Sequence, residues 1–204
     1  MLIIHTDNTT KTPPPPSHFS HCSFYEYMLK CWLQGSKTED MYRSMYDDSM
    51  DGVHKLLAQK STPSGLSYIA DLNGGNLDHK MDHLVCFMGG SLALGAYTNP
   101  DGLDSPKAQR DLKLAKAVTY TCYQMYARQP TGIAPEYVRF VKGRDMETGS
   151  NARFYILRPE TVESLFILNQ VRVVLCESLR ELCESCVRVV REAKSTTALV
   201  PTPF

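Results

Sequence analysis

Residues 81–97 are apolar nearly all round and crowded with small side chains, among them Gly89, Gly90, Ser91, Ala93, Gly95 and Ala96. A helix without a polar face has to be covered on several sides, so this stretch predicts an inner helix within a larger helical assembly. The flanking sequence supplies its neighbours. Phe24, Tyr27, Met28, Cys31 and Trp32 recur at helical spacing over residues 24–34, and Met41, Met45, Val53, Leu56 and Leu57 do so over 38–59. Residues 105–128 form an amphipathic pattern opened by Ser105-Pro106, an N-cap followed by a proline whose missing donor costs nothing in a first turn. That segment reads as an outer or paired helix.

Short extended pieces interrupt the helices. Residues 66–72 alternate before Asn73-Gly74-Gly75, a turn signal, and read as a short strand or hairpin arm. Residues 133–141 alternate Tyr137, Arg139 and Val141 against Val138 and Phe140, an extended segment that delivers Glu136. Residues 154–157 repeat that style, and Arg158-Pro159-Glu160 opens a helix carrying Val162, Leu165, Phe166 and Leu168. The expected fold class is all-α with short β-hairpins.

With 204 residues and 43% hydrophobic content, the chain is long enough for one domain with a real core. Lys+Arg and Asp+Glu balance at 22 each, so no net field draws it to nucleic acid or to an anionic membrane, and a neutral or polar partner is expected. No stretch has the length and apolarity of a transmembrane helix or a signal peptide. Residues 1–21, with Pro13, Pro14, Pro15 and Pro16, read as a polar tail that contains the sequon Asn8-Thr9-Thr10. Residues 171–194 carry Leu175, Leu179, Leu182, Cys186 and Val190 as a helical stripe ahead of a second tail.

The seven cysteines, at 22, 31, 86, 122, 176, 183 and 186, lack the paired hooks of a structural zinc site. Cys183 and Cys186 read as ordinary residues of a helical pattern. Chemistry is suggested instead by three junctions that place a carboxylate where two elements meet: Asp82-His83, Glu136, and Glu160 with Glu163. Each also has a structural reading. Acids in a first helical turn are stabilised by the macrodipole, Asp82 and His83 can cap the inner helix, and Glu26 can pair with a neighbouring base.

SFYEYMLK at 23–30, KMDHLVCF at 80–87, TCYQMY at 121–126, APE at 134–136 and YILRPETVESLF at 155–166 stand in one order. In these motifs the chain resembles the glycoside hydrolase family 47 α-1,2-mannosidases of the endoplasmic reticulum type. The resemblance covers residues 23–170. It implies a partial (α/α)7 barrel, a partial catalytic domain at 22–170 between the tail at 1–21 and a divergent helical segment at 171–204, and apolar faces exposed at the edges of that piece. It further implies calcium-dependent, inverting hydrolysis of terminal α-1,2-linked mannose on high-mannose N-glycans of glycoproteins in the endoplasmic reticulum or Golgi lumen.

By position in the motifs, Glu160 matches the catalytic base and Glu136 a further active-site carboxylate considered as the acid. Inversion needs two such groups ~6.5 to 9.5 Å apart, so that water fits between them. Arg158, Glu163, Asp82 and His83 match substrate-binding positions, and Cys86 and Cys122 match a disulfide, which implies an oxidising compartment. The pattern departs at Cys22, where the family has a catalytic Asp, and no segment matches the threonine that binds calcium. An alternative therefore stands beside hydrolysis: a catalytically inactive fragment that binds glycan or another protein.

Overall fold

A computed structural model describes residues 22–175. Helix α1 (Cys22–Gln34) leads to α2 (Asp40–Gly52) and a π-helical turn, Val53–Leu57. Four short strands follow: β1 (Ala58–Lys60), β2 (Ser67–Ile69), β3 (Asp71–Asn73) and β4 (Asn76–Asp78). Strand β5 (Lys80–Asp82) and a 3-10 turn, His83–Cys86, then lead into α3 (Phe87–Tyr97) and α4 (Pro106–Ala127). Strands β6 (Tyr137–Val141) and β7 (Asp145–Glu147), a 3-10 turn at Ser150–Ala152 and α5 (Glu160–Leu175) complete the described chain.

Helix α3 is the hub, packed against α1, α4 and α5 and reached by Tyr46 of α2. Its small residues explain how. A Cβ on Gly89 would stand 2.0 Å from Thr119 Oγ1 of α4, and one on Gly95 would stand 2.2 Å from the Tyr46 hydroxyl. Gly90 meets the α5 backbone in the same way, 3.1 Å from Ser164 Cα. Three glycines thus admit three different helices, and any added methyl would force them apart. Hydrogen bonds lock the close approach: the Tyr46 hydroxyl donates to the Ser91 carbonyl at 3.0 Å, and Ser164 Oγ accepts from the Gly90 amide at 2.7 Å while donating to the Cys86 carbonyl. The inner helix expected from composition is present.

Its start differs from the expectation. The apolar run begins as β5, because Met81 pairs with Val138 of β6 in an antiparallel ladder and both side chains are fully buried. A helix through Met81 would give up that ladder. The pattern over 38–59 likewise stops short, since Ala58 pairs with Ile69 and β1 and β2 close a two-stranded sheet. The expected strand at 66–72 splits at Ala70, and β3 and β4 form their own hairpin around Gly74 and Gly75, whose φ of 57 and 85 suit a left-handed turn. Residues 154–157 join no ladder, and Phe154, Ile156 and Leu157 are exposed.

The remaining expectations follow their residues. Ser105 Oγ accepts from the Ala108 amide at 3.3 Å and caps α4. Cys86 and Cys122 form a disulfide with Cα atoms 5.9 Å apart, joining the 3-10 turn before α3 to the C-terminal part of α4. Helix α5 starts at Glu160, directly behind Pro159, and runs unbroken through Leu175. The tail at 1–21 and the pattern beyond residue 175, with Cys176, Cys183 and Cys186, lie outside the described residues.

Candidate functional site

The carboxylates gather where β5, β6 and the N-terminus of α5 meet. Glu136 is placed by two backbone bonds, its amide donating to the Ala152 carbonyl at 2.9 Å and its carbonyl accepting from the His83 amide at 2.7 Å. Its side chain accepts a fork from Arg158, with Nε 3.1 and 3.2 Å from the two oxygens and Nη2 closing on Oε1. Both partners are largely shielded, at 17% and 13% side-chain exposure, so the pair is stronger than a surface ion pair. Leu157, with φ of +58, turns the chain immediately ahead of Arg158, an unusual conformation for a residue bearing a Cβ.

Glu160 is treated differently. Its Oε2 is buried and takes no hydrogen bond among the described residues. Desolvation pushes its carboxyl above the ordinary glutamate value, against the downward pull of its own backbone amide and of Arg158. An acid near a helix N-terminus should have been stabilised as an anion. Here burial wins.

His83 is fully buried. Thr161 Oγ1 and the Tyr126 hydroxyl each lie 3.0 Å from its Nε2, and the rings of Tyr126 and Tyr155 stand 5.2 and 6.0 Å away. Desolvation pushes its pKa down to about 4, so the ring is neutral at neutral pH. Asp82 precedes the 3-10 turn without capping it and pairs with Lys80 at 2.6 Å. Glu163 lies one turn along α5 from Glu160 and accepts from Lys30 of α1 at 3.0 Å, while Lys30 also holds Glu26. The structural reading of Glu26 is the one this geometry favours.

The motifs therefore converge, but through residues that spacing alone did not single out. Tyr126, Tyr155 and Thr161 surround His83, and Lys30 bridges two acids. Lys30 had a visible signal, four positions after Glu26. The Tyr155 hydroxyl donates to the Arg158 carbonyl at 3.2 Å, and Tyr155 also borders a cleft of about 500 Å³ lined by Gln129, Thr131, Pro135, Arg153 and Phe154. The cleft adjoins Glu136 through Pro135.

The model of glycosyl hydrolase family 47 matches residues 18–191. The chain belongs to that family. Among family 47 relatives, it is 48% identical over 148 residues to mannosyl-oligosaccharide 1,2-alpha-mannosidase MNS1 of Arabidopsis thaliana, covering 72% of this chain and 25% of that protein. It is 43% identical over 154 residues to the human endoplasmic reticulum mannosyl-oligosaccharide 1,2-alpha-mannosidase, covering 73% and 21%. The chain thus spans about a quarter or less of these two relatives. An alpha-1,2-mannosidase from Trichoderma reesei shares the fold with a TM-score of 0.60 at 24% identity, over 72% of this chain and 32% of that one.

For a family 47 chain the implied ion is calcium, which takes ~6 to 8 oxygen ligands. Among the described residues no three or more His, Cys, Asp or Glu side chains are arranged to hold a metal ion. Glu136 is committed to Arg158, and Glu163 and Glu26 to Lys30. The described residues do not by themselves fit a calcium cage.

Proposed function

We propose that this chain carries part of the site for inverting hydrolysis of terminal α-1,2-linked mannose on high-mannose N-glycans, within a partial (α/α)7 barrel. The observation that carries the reading is the contrast between its two central carboxylates. Glu160 keeps a buried oxygen free of protein donors and a raised pKa, as a general base must in order to take a proton from water near its working pH. Glu136, gripped on both oxygens by Arg158, is the second carboxylate, arranged to orient that guanidinium and to accept from sugar hydroxyls. Asp82 and Glu163 flank the pair as further hydroxyl acceptors, and His83 supports it from within. The neighbouring cleft, with Phe154, Tyr155 and Arg153, has the aromatic faces and donors that suit the next sugar of the same glycan.

The Cys86–Cys122 disulfide supports residence in an oxidising lumen, that of the endoplasmic reticulum or Golgi. Among the described residues no helix is long and apolar enough to cross a membrane. Calcium dependence is part of the proposal, with ligands other than the described carboxylates. Release of free mannose from a high-mannose N-glycan, with and without calcium and beside Glu160→Gln, tests the reading. Calcium-dependent release abolished by the substitution is expected, and no release from the folded chain overturns it. Glycan binding without turnover is the second reading, favoured by the Arg158 fork, because a carboxylate held on both oxygens is poorly arranged to hand a proton to a leaving group.

A further inference from the structure

His83 touches both carboxylate-bearing segments while facing no solvent. Its amide donates to the Glu136 carbonyl at 2.7 Å. Its ring lies 3.0 Å from the hydroxyl of Thr161, the residue after Glu160, and 3.0 Å from the hydroxyl of Tyr126 on α4. The disulfide ties the same two elements again, Cys86 three residues after His83 and Cys122 one turn before Tyr126. The ring is 0% exposed and its Nδ1 has no partner among the described residues, so it does not reach a sugar directly.

We propose that His83 is a positioning residue that fixes the separation of Glu136 and Glu160, holding one segment through its backbone and the first turn of α5 through its ring. This deepens the proposed function and rests on it for the roles of the two carboxylates. That separation sets how a water activated by Glu160 meets a sugar oriented by Glu136 and Arg158. A displacement of about 1 Å in a catalytic group costs on the order of 10²-fold in rate. The neutral ring suits the task, because Nε2 then remains able to accept from a hydroxyl. The charged groups acting on it are Glu136 and Arg158, with opposite signs.

His83→Phe keeps the ring volume and the backbone bond but removes the nitrogen that Thr161 and Tyr126 meet. The side-chain carboxyls are followed by NMR in chain labelled with ¹³C at glutamate, Glu160→Gln assigning the resonance. In His83→Phe the Glu160 titration is expected to fall back toward the ordinary glutamate range as water reaches the loosened turn, and amide exchange at 161–163 to rise about tenfold. Ser91→Ala, which removes a buried hydroxyl elsewhere, leaves both unchanged. A folded His83→Phe chain with wild-type titration and exchange overturns the proposal. Should that variant not fold, Thr161→Val removes the other end of the same contact, and an unshifted Glu160 titration there overturns it equally. Neither readout needs turnover, so a chain that releases no mannose counts against the hydrolase reading alone.

Discussion

Asp145 and Glu160 are both shielded acids, and the chain treats them in opposite ways. Asp145, 4% exposed, accepts from Ser61 Oγ at 2.6 Å, from the Ser64 amide at 3.0 Å and from Ser64 Oγ at 2.5 Å, with Arg128 3.6 Å away. Desolvation alone would raise its carboxyl, but these donors together outweigh it and hold the pKa down at about 2. Glu160 has the desolvation, its own backbone amide and Arg158 do not outweigh it, and its Oε2 has no partner among the described residues, so its pKa goes up. The difference separates an acid that fastens the 61–66 loop to β7 from one left with proton-accepting capacity. Saturation by donors, more than burial, marks the structural carboxylate here.

Glu160→Gln strikes the unsaturated side of this contrast and carries the largest expected effect. Mannose release should fall by about 10² to 10⁴-fold, the usual worth of a general base, while stability at pH 7 shifts by less than about 1 kcal/mol. A variant as active as the parent would remove Glu160 from the chemistry. Asp145→Ala strikes the saturated side. Two serine hydroxyls and an amide lose their acceptor in a shielded place, and urea unfolding should show a loss of about 3 kcal/mol with glycan release per folded molecule unchanged. A loss confined to activity would mean the two acids had been assigned the wrong way round.

How much of this was legible in the sequence depended on whether the cause was local. The run over 81–97 announced an inner helix because a helix without a polar face must be covered on several sides, and Ser105-Pro106 announced the start of α4 by cap chemistry alone. The start of α3 was not legible. Whether Met81 is strand or helix is decided by Val138, 57 positions away. The same holds for Ala58, whose ladder partner is Ile69. At the site, the motifs named Glu136, Arg158 and Glu160, and the Glu136–Arg158 fork unites two of them. Asp145 carried no signal, because its donors, Ser61 and Ser64, lie 84 and 81 positions away. Tyr126 lay inside the motif at 121–126 without a role assigned to it, and its contact with His83 exists because α4 passes behind the 3-10 turn.

Acid sharpens the comparison, because the two groups should push stability in opposite directions. For Asp145, lowered in the fold, the contribution is fully present above the unfolded value near 3.8 and is lost as pH falls through about 2. For Glu160, raised in the fold, the folded state binds its proton more readily than the unfolded chain does, so acidification from its raised folded value down to the unfolded value near 4.5 adds stability, which stays constant below that. Subtracting the urea-unfolding curve of Asp145→Asn from that of the parent should isolate the first slope, and Glu160→Gln the second, with opposite signs. Slopes of the same sign would end the distinction drawn above.

The smallest expected effect tests whether the fork at Glu136 matters as geometry or only as charge. Arg158→Lys keeps a cation near Glu136 but replaces a planar, two-pronged donor with a point charge on a flexible stem. Stability should fall by about 1 kcal/mol, because the pair is shielded and its second hydrogen bond is lost. Activity should fall further than that loss of folded chain explains, since Arg158 also lies within reach of Glu160 electrostatically. Equal losses in both would make Arg158 a fastening like the serines around Asp145, and the line between structural and working charges would then run between Arg158 and Glu160.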